Sequence, residues 1–137
     1  KGFELAWQQP VGAGFGFDVN YAYCLGRDSN GAPLAGSSKN TYNLEGYYEN
    51  DSFSARLIYN YRSDFLTGIV SALPQYVQGS GDWSTSLNYK LTDHLTVQFD
   101  GKNLTDTLAR QYVVRKDMPA AIYNNGRQFY LGLKYSL

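Results

Sequence analysis

The 137-residue chain contains one cysteine, one histidine and four prolines, and neither charge sign is in excess. A single thiol, Cys24, excludes an internal disulfide framework and any cysteine-based zinc site. Twelve basic residues against twelve acidic ones give zero net charge, which removes the electrostatic case for nucleic acid as a partner. No apolar run approaches the roughly 18 residues that a membrane-spanning helix needs. The nearest, Met118-Pro119-Ala120-Ala121-Ile122-Tyr123, is far too short. Lys1 is preceded by no initiator methionine and no secretory leader, so the chain is expected to be processed or cut from something larger.

Charged residues make up only 18% and aromatic ones 16%, a balance unlike that of disordered chains. Ala, Leu, Glu and Lys do not dominate either, which argues against a helical bundle. The space is filled by 14 Gly, 13 Tyr and 7 Phe.

The arrangement of these residues has period two. Phe15, Phe17, Val19, Tyr21, Tyr23 and Leu25 alternate with Gly16, Asp18, Asn20, Ala22 and Cys24. A helix would scatter both sets around its circumference, whereas a strand puts them on opposite faces. Six more segments repeat the pattern: Phe3 to Trp7, Tyr42 to Tyr48, Phe53 to Tyr61, Trp83 to Leu91, Leu95 to Gly101, and Phe129 to Leu137. Tyr47, Ile58 and Thr85 break the alternation. The expected fold is all-β, an antiparallel up-and-down meander of about seven long strands forming a segment of a transmembrane β-barrel.

The connections favour the barrel. Pro10–Gly14, Glu49–Ser52 and Thr92–His94 are short, whereas Arg27–Asn40, Ser63–Ser80 and Thr105–Asn125 are long, and short alternates with long. All tight turns then lie at one end and all long loops at the other, as in outer-membrane barrels. Several strands run about 10–12 residues, against about 5–6 in soluble sheets. At about 40° of tilt, eleven residues rise roughly 28 Å, close to the apolar band of an outer membrane.

Aromatic residues of the apolar face gather at both strand ends. Tyr21, Tyr23, Tyr42, Tyr59, Tyr61, Trp83 and Phe129 lie towards the long loops, and Trp7, Phe15, Phe17, Tyr48, Phe53, Tyr89 and Tyr135 towards the short turns. Val19, Leu44, Leu57, Leu87, Val97 and Leu131 lie between. Two belts around an aliphatic waist suit headgroups on either side of acyl chains. The other face mixes Asp18, Glu45, Arg56, Asp82, Lys90, Asp100, Lys102 and Lys134, as a wet lumen would.

The C-terminal residues Gln128-Phe-Tyr-Leu-Gly-Leu-Lys-Tyr-Ser-Leu137 resemble the terminal strand of outer-membrane barrels. Tyr130, Gly132, Tyr135 and Leu137 occupy the positions of the membrane-insertion signal, with Leu137 in place of the usual final Phe. The stretch from Leu91 to Asp106, Asn125-Gly126-Arg127, and the hairpin Tyr47–Leu57 with Asn60-Tyr61-Arg62 resemble the C-terminal region of TonB-dependent receptors. That resemblance implies a bacterial outer-membrane location and a barrel of roughly twenty-two strands around an N-terminal plug. It also implies uptake of scarce solutes (iron chelates, cobalamin or oligosaccharides) driven through TonB. Residues 1–137 would then be the last seven strands, with plug, TonB-binding segment and other strands absent. The expected partners are outer-membrane lipid and the remainder of the same receptor, with TonB reached only through the missing N-terminal region. No cofactor and no enzymatic activity are implied.

An odd strand count and two open edges point the same way. Seven strands fall short of the roughly eight at which small barrels close, and unpaired edge N–H and C=O groups are costly in hydrocarbon. The fragment alone is therefore not expected to transport.

Candidate site residues follow from the wet face and the loops. Arg56, Asn60 and Arg62 share the lumen face and suit an anionic or sugar ligand; the alternative is a charge network with Glu45 and Asp82 or Asp100, or contact with the plug. Phe65, Tyr76, Tyr112 and Tyr123 are either ligand-stacking or loop-packing aromatics. Thr105–Lys116 is expected to hold a short helix. Asp93-His94 reads as a solvated turn, because nothing there positions a nucleophile. Asp28-Ser29-Asn30-Gly31 lacks the spaced oxygens of a calcium loop and reads as a turn. Two further readings stay open: a small outer-membrane barrel or pore completed by oligomerisation, and a soluble β-sandwich carbohydrate-binding module.

Overall fold

A computed structural model describes residues 1–136. Eleven strands are present in two antiparallel sheets. The large sheet takes β1 (Gly2–Gly12), β2 (Phe15–Cys24), β3 (Asn40–Glu49), β4 (Phe53–Arg62), β7 (Ser80–Lys90), β8 (Leu95–Lys102) and β11 (Gln128–Tyr135), in that spatial order. The small sheet takes β5 (Phe65–Val70), β6 (Leu73–Val77), β9 (Ala109–Val113) and β10 (Pro119–Tyr123), in the spatial order β10-β9-β6-β5. The seven long strands are those that the alternation predicts.

Register carries the period-two pattern across the whole large sheet. Trp7 faces Val19, Val19 faces Leu44, Leu44 faces Tyr59 and Tyr59 faces Trp83. Tyr89 faces Val97, and Val97 faces Leu133. A one-residue slip between any two strands would put a polar side chain into this row. Among the described residues the one irregularity in the large sheet lies between Pro10 and Gly12, beside the first tight turn.

Among the described residues no second layer covers the apolar face. Leu57 is 47% exposed and Leu131 76%, and the main strand contacts run between hydrogen-bonded neighbours within each sheet. Among the described residues Tyr112 is the one buried hydrophobic side chain, and it lies in the small sheet. A soluble sandwich would bury these leucines between two sheets. Here the apolar face is left to its surroundings.

Aromatic pairs brace that face near both ends. Tyr42 stacks on Tyr61 at 4.7 Å and Tyr59 meets Trp83 at 5.0 Å on the long-loop side, while Phe15 meets Tyr48 at 4.6 Å beside the tight turns. Two of the pattern breaks have local causes. The Tyr47 ring lies over Gly16 on the neighbouring strand, where any Cβ would collide with it. Thr85 donates its hydroxyl to the Arg56 carbonyl at 2.9 Å, so its polar group is satisfied on the apolar face.

The tight turns are closed by side chains. Asn50 Oδ1 accepts from the backbone N–H groups of Ser52 and Phe53 at 2.9 and 2.8 Å. Thr92 Oγ1 accepts from those of His94 and Leu95 at 3.3 and 3.1 Å. The expected helix at Thr105–Lys116 is not formed. That stretch holds β9, which pairs with β6 and β10, because Gln111, Tyr112 and Val113 find partners in Val77, Tyr76 and Gln75. Non-local pairing here overrides a weak local helical tendency.

Candidate functional site

The polar face is organised in rows set by register. Near the long loops, Asn20, Asn43, Asn60 and Asp82 stand directly opposite one another across β2, β3, β4 and β7. One level further out, Thr41 faces Arg62 and Arg62 faces Ser80. Towards the tight turns, Asp18 faces Glu45, and Tyr47 faces Arg56. A hollow of about 400 Å3 opens on this face, lined by Glu4, Asn20, Asn43, Asn60, Arg62 and Asp82 among others.

Each predicted residue has a definite place. Arg56 pairs with Glu45 at 2.7 Å and approaches Glu49 at 3.8 Å. Neither Asp82 nor Asp100 joins that pair: Asp82 accepts from Ser84 at 3.4 Å and Asp100 from Gln98 at 3.0 Å. Asn60 accepts from Asn43 Nδ2 at 2.6 Å. Arg62 turns to the loop between β2 and β3, donating to the Ser38 hydroxyl and the Gly36 carbonyl. The same guanidinium lies 3.8 Å from the centre of the Phe65 ring. Arg62 and Phe65 are thus brought together as a clamp on that loop, which Gly36 N–H completes by donating to the Leu66 carbonyl at 2.7 Å.

The loop aromatics separate. Tyr76 and Tyr112 stack at 5.2 Å between β6 and β9, whereas Tyr123 on β10 is 52% exposed. Tyr112 donates its hydroxyl to Asp64, which also accepts from Gly79 N–H at 2.8 Å and from the Lys116 ammonium at 3.0 Å. Burial pushes the Asp64 carboxyl up, but the Gly79 N–H, the Tyr112 hydroxyl and Lys116 together hold it below its ordinary value. Burial, then the hydrogen bond to Asp64 and its charge, push the Tyr112 phenol up to about 12.

On the terminal strand, Tyr130 and Gly132 lie on the polar face opposite Asp100 and Gln98, and Tyr135 on the apolar face opposite Leu95. Leu137, the last position of the insertion signal, lies outside the described residues. His94 Nδ1 lies 3.1 Å from the Ser136 carbonyl, and Ser136 N–H donates to the His94 carbonyl. The Asp28 turn is closed on itself: Asp28 Oδ1 accepts from Asn30 and Ala32 N–H, both at 2.9 Å.

Sequence reading did not single out Asn20 and Asn43, or Gly36, Ser38, Asp64 and Lys116. The two asparagines were legible only as polar-face residues, and their alignment with Asn60 requires the register. Asp64 and Lys116 meet across 52 positions, with no local signal for either.

Residues 1–104 match the family described as TonB dependent receptor-like, beta-barrel. Among curated proteins none matches the chain. Solved structures share its fold, among them three receptors. A mutant of the ferric enterobactin receptor of Pseudomonas aeruginosa superposes with a TM-score of 0.77 at 17% identity, over 99% of this chain and 22% of that one. The siderophore receptor PirA of Acinetobacter baumannii gives 0.78 at 20% identity, over 99% and 22% of the two chains. The siderophore receptor PiuA of the same organism gives 0.69 at 15%, over 98% and 21%. The chain thus spans about a fifth of the length of these receptors. An uncovered apolar face, a polar face opposite it, tight turns at one end only and a match over residues 1–104 agree: the chain belongs to the TonB-dependent receptor β-barrel family.

Proposed function

We propose that this chain is the C-terminal wall of the transmembrane barrel of a TonB-dependent receptor in a bacterial outer membrane, serving active uptake of a scarce solute. The solute belongs to the iron-chelate, cobalamin or oligosaccharide class. The plug, the remaining strands and the TonB-contacting region belong to other parts of the same receptor. The seven strands alone do not transport.

The observation that carries this reading is the pair of open edges. Every residue of β1 and of β11 is exposed, and each strand has one neighbour in the sheet. In hydrocarbon each unpaired N–H or C=O group costs several kcal/mol, so both edges require further strands. The long loops at one end, tied together by the Arg62 clamp and the Asp64 cluster, would face the cell exterior and meet the solute first.

The upstream reading frame tests the reading directly: several hundred codons encoding a plug and a TonB-binding segment are expected. A frame starting just before Lys1 would favour the small oligomeric barrel instead. A second check is expression of residues 1–137 alone. The fragment should fail to insert as a monomeric, heat-resistant barrel, and clean refolding to a single species in detergent would contradict the proposal.

A further inference from the structure

We infer that the row Asn20–Asn43–Asn60, ended by Asp82, is a binding site for a neutral polyhydroxylated solute, a linear oligosaccharide by chemical class. The inference rests on the receptor reading above and narrows it to one kind of cargo.

The geometry is a ladder. The four residues stand directly opposite one another on four adjacent strands. At a strand spacing of about 4.8 Å the row extends roughly 14 Å. That spacing is comparable to the length of one pyranose unit, so successive sugar rings can meet successive strands. All four side chains line the hollow on the polar face.

Hydrogen-bonding capacity is left over along this row. Each amide offers two donor hydrogens and an acceptor oxygen, and the Asp82 carboxylate accepts through two oxygens. Among the described residues, the side-chain bonds within the row come to one, Asn43 to Asn60 at 2.6 Å, while Asp82 holds a long contact of 3.4 Å to Ser84. The mixture of free donors and acceptors is what vicinal hydroxyls, themselves donors and acceptors, can satisfy.

Charge selects against the alternative cargo. Arg62 is the cation of the hollow, and its guanidinium is engaged by Ser38, Gly36 and Phe65. Among the described residues no ion pair involves Glu4 or Asp82. An anionic chelate resting on this wall would meet the carboxylates of Glu4 and Asp82, whereas a neutral chain of hydroxyls would not be repelled by them.

The test uses the intact receptor that contains this segment, purified in detergent from the outer-membrane fraction. Its absence from that fraction would sink the receptor reading before binding is measured. Binding is read on an array of neutral, amino and acidic oligosaccharides, and separately by fluorescence quenching with an iron(III) tris-catecholate. Neutral oligosaccharides should bind, and the double substitution Asn43→Leu with Asn60→Leu should weaken them about 30-fold, the loss of two hydrogen bonds. Gln98→Ala, on the tight-turn half of the polar face, should leave binding unchanged. If the leucine pair fails to fold, as judged by heat-modifiable mobility, Asn43→Ser with Asn60→Ser should still weaken binding. Binding of acidic glycans or the chelate alone, binding of no neutral glycan, or neutral binding unmoved by the substitutions would overturn the inference while leaving the receptor reading intact.

Discussion

Tyr112 donates its hydroxyl to Asp64 across 2.7 Å, joining residues 48 positions apart and fastening β9 to the segment that follows β4. Lys116, just beyond β9, reaches the same carboxylate. Tyr112 is also the buried side chain of the small sheet. These groups hold together two long connections that the sequence offers as separate loops.

That cluster predicts how the small sheet responds to pH. The folded Asp64 value lies below its ordinary 3.8, so its contribution is present above that value and is lost as pH falls through the lower, folded one. The folded Tyr112 value is about 12 against an ordinary 10.0, so its contribution is full below 10.0 and is lost as pH rises through about 12. Amide exchange in β9 should be slow between these limits and accelerate beyond both, and Tyr112→Phe should remove the alkaline limb that belongs to the phenol. An alkaline limb unchanged in Tyr112→Phe would show that the phenol does not set it.

Arg62 clamps the loop between β2 and β3 through a planar fork and a ring contact, neither of which lysine reproduces. Arg62→Ala and Arg62→Lys should both free Gly36–Ser38. Limited proteolysis of the receptor in membranes should cut near Leu34 several-fold faster in both variants. A lysine variant as resistant as the parent would reduce the clamp to simple charge.

The Tyr47 ring occupies the space above Gly16 on the polar face. Gly16→Val should therefore lower the temperature at which the barrel loses its heat-modifiable mobility, by about 1–3 kcal/mol of overpacking. Adding Tyr47→Ala should recover part of the loss, since it vacates the volume. Additive losses in the double variant would mean that the two sites do not share that space.

Leu57 and Ser84 lie on opposite faces of neighbouring strands, Leu57 on the apolar face and Ser84 on the polar one. Leu57→Arg should cost about 2–4 kcal/mol, the price of a cation near the bilayer midplane, and reduce the folded receptor in the outer membrane. Ser84→Arg should be tolerated. Equal sensitivity at both positions would contradict a lipid-facing assignment of the apolar row.

Much of the large sheet is legible in the chain itself. A strand has two faces, so Phe15, Phe17, Val19, Tyr21 and Tyr23 declare their common side without reference to any neighbour. Turn chemistry is equally local: Asn50 and Thr92 close their own hairpins by reaching two or three residues ahead. The alternation of tight turns with long connections follows from the same reading, and with it the end of the sheet where any solute site would lie.

What the chain alone leaves open depends on which strands lie beside one another. Residues 109–113 carry a pattern too short to choose between helix and strand, and β6 makes the choice by offering Tyr76 to Tyr112. Arg62 is drawn on the polar face by its position in β4, yet its charge is claimed by Gly36 and Ser38 from a loop more than twenty residues away. The row Asn20–Asn43–Asn60–Asp82 exists only once four registers are set. Periodicity, a property of one strand, was written in the order of residues. Alignment across strands was decided by tertiary structure, because hydrogen-bonded neighbours are chosen by burial, register and ring packing between segments far apart in the chain.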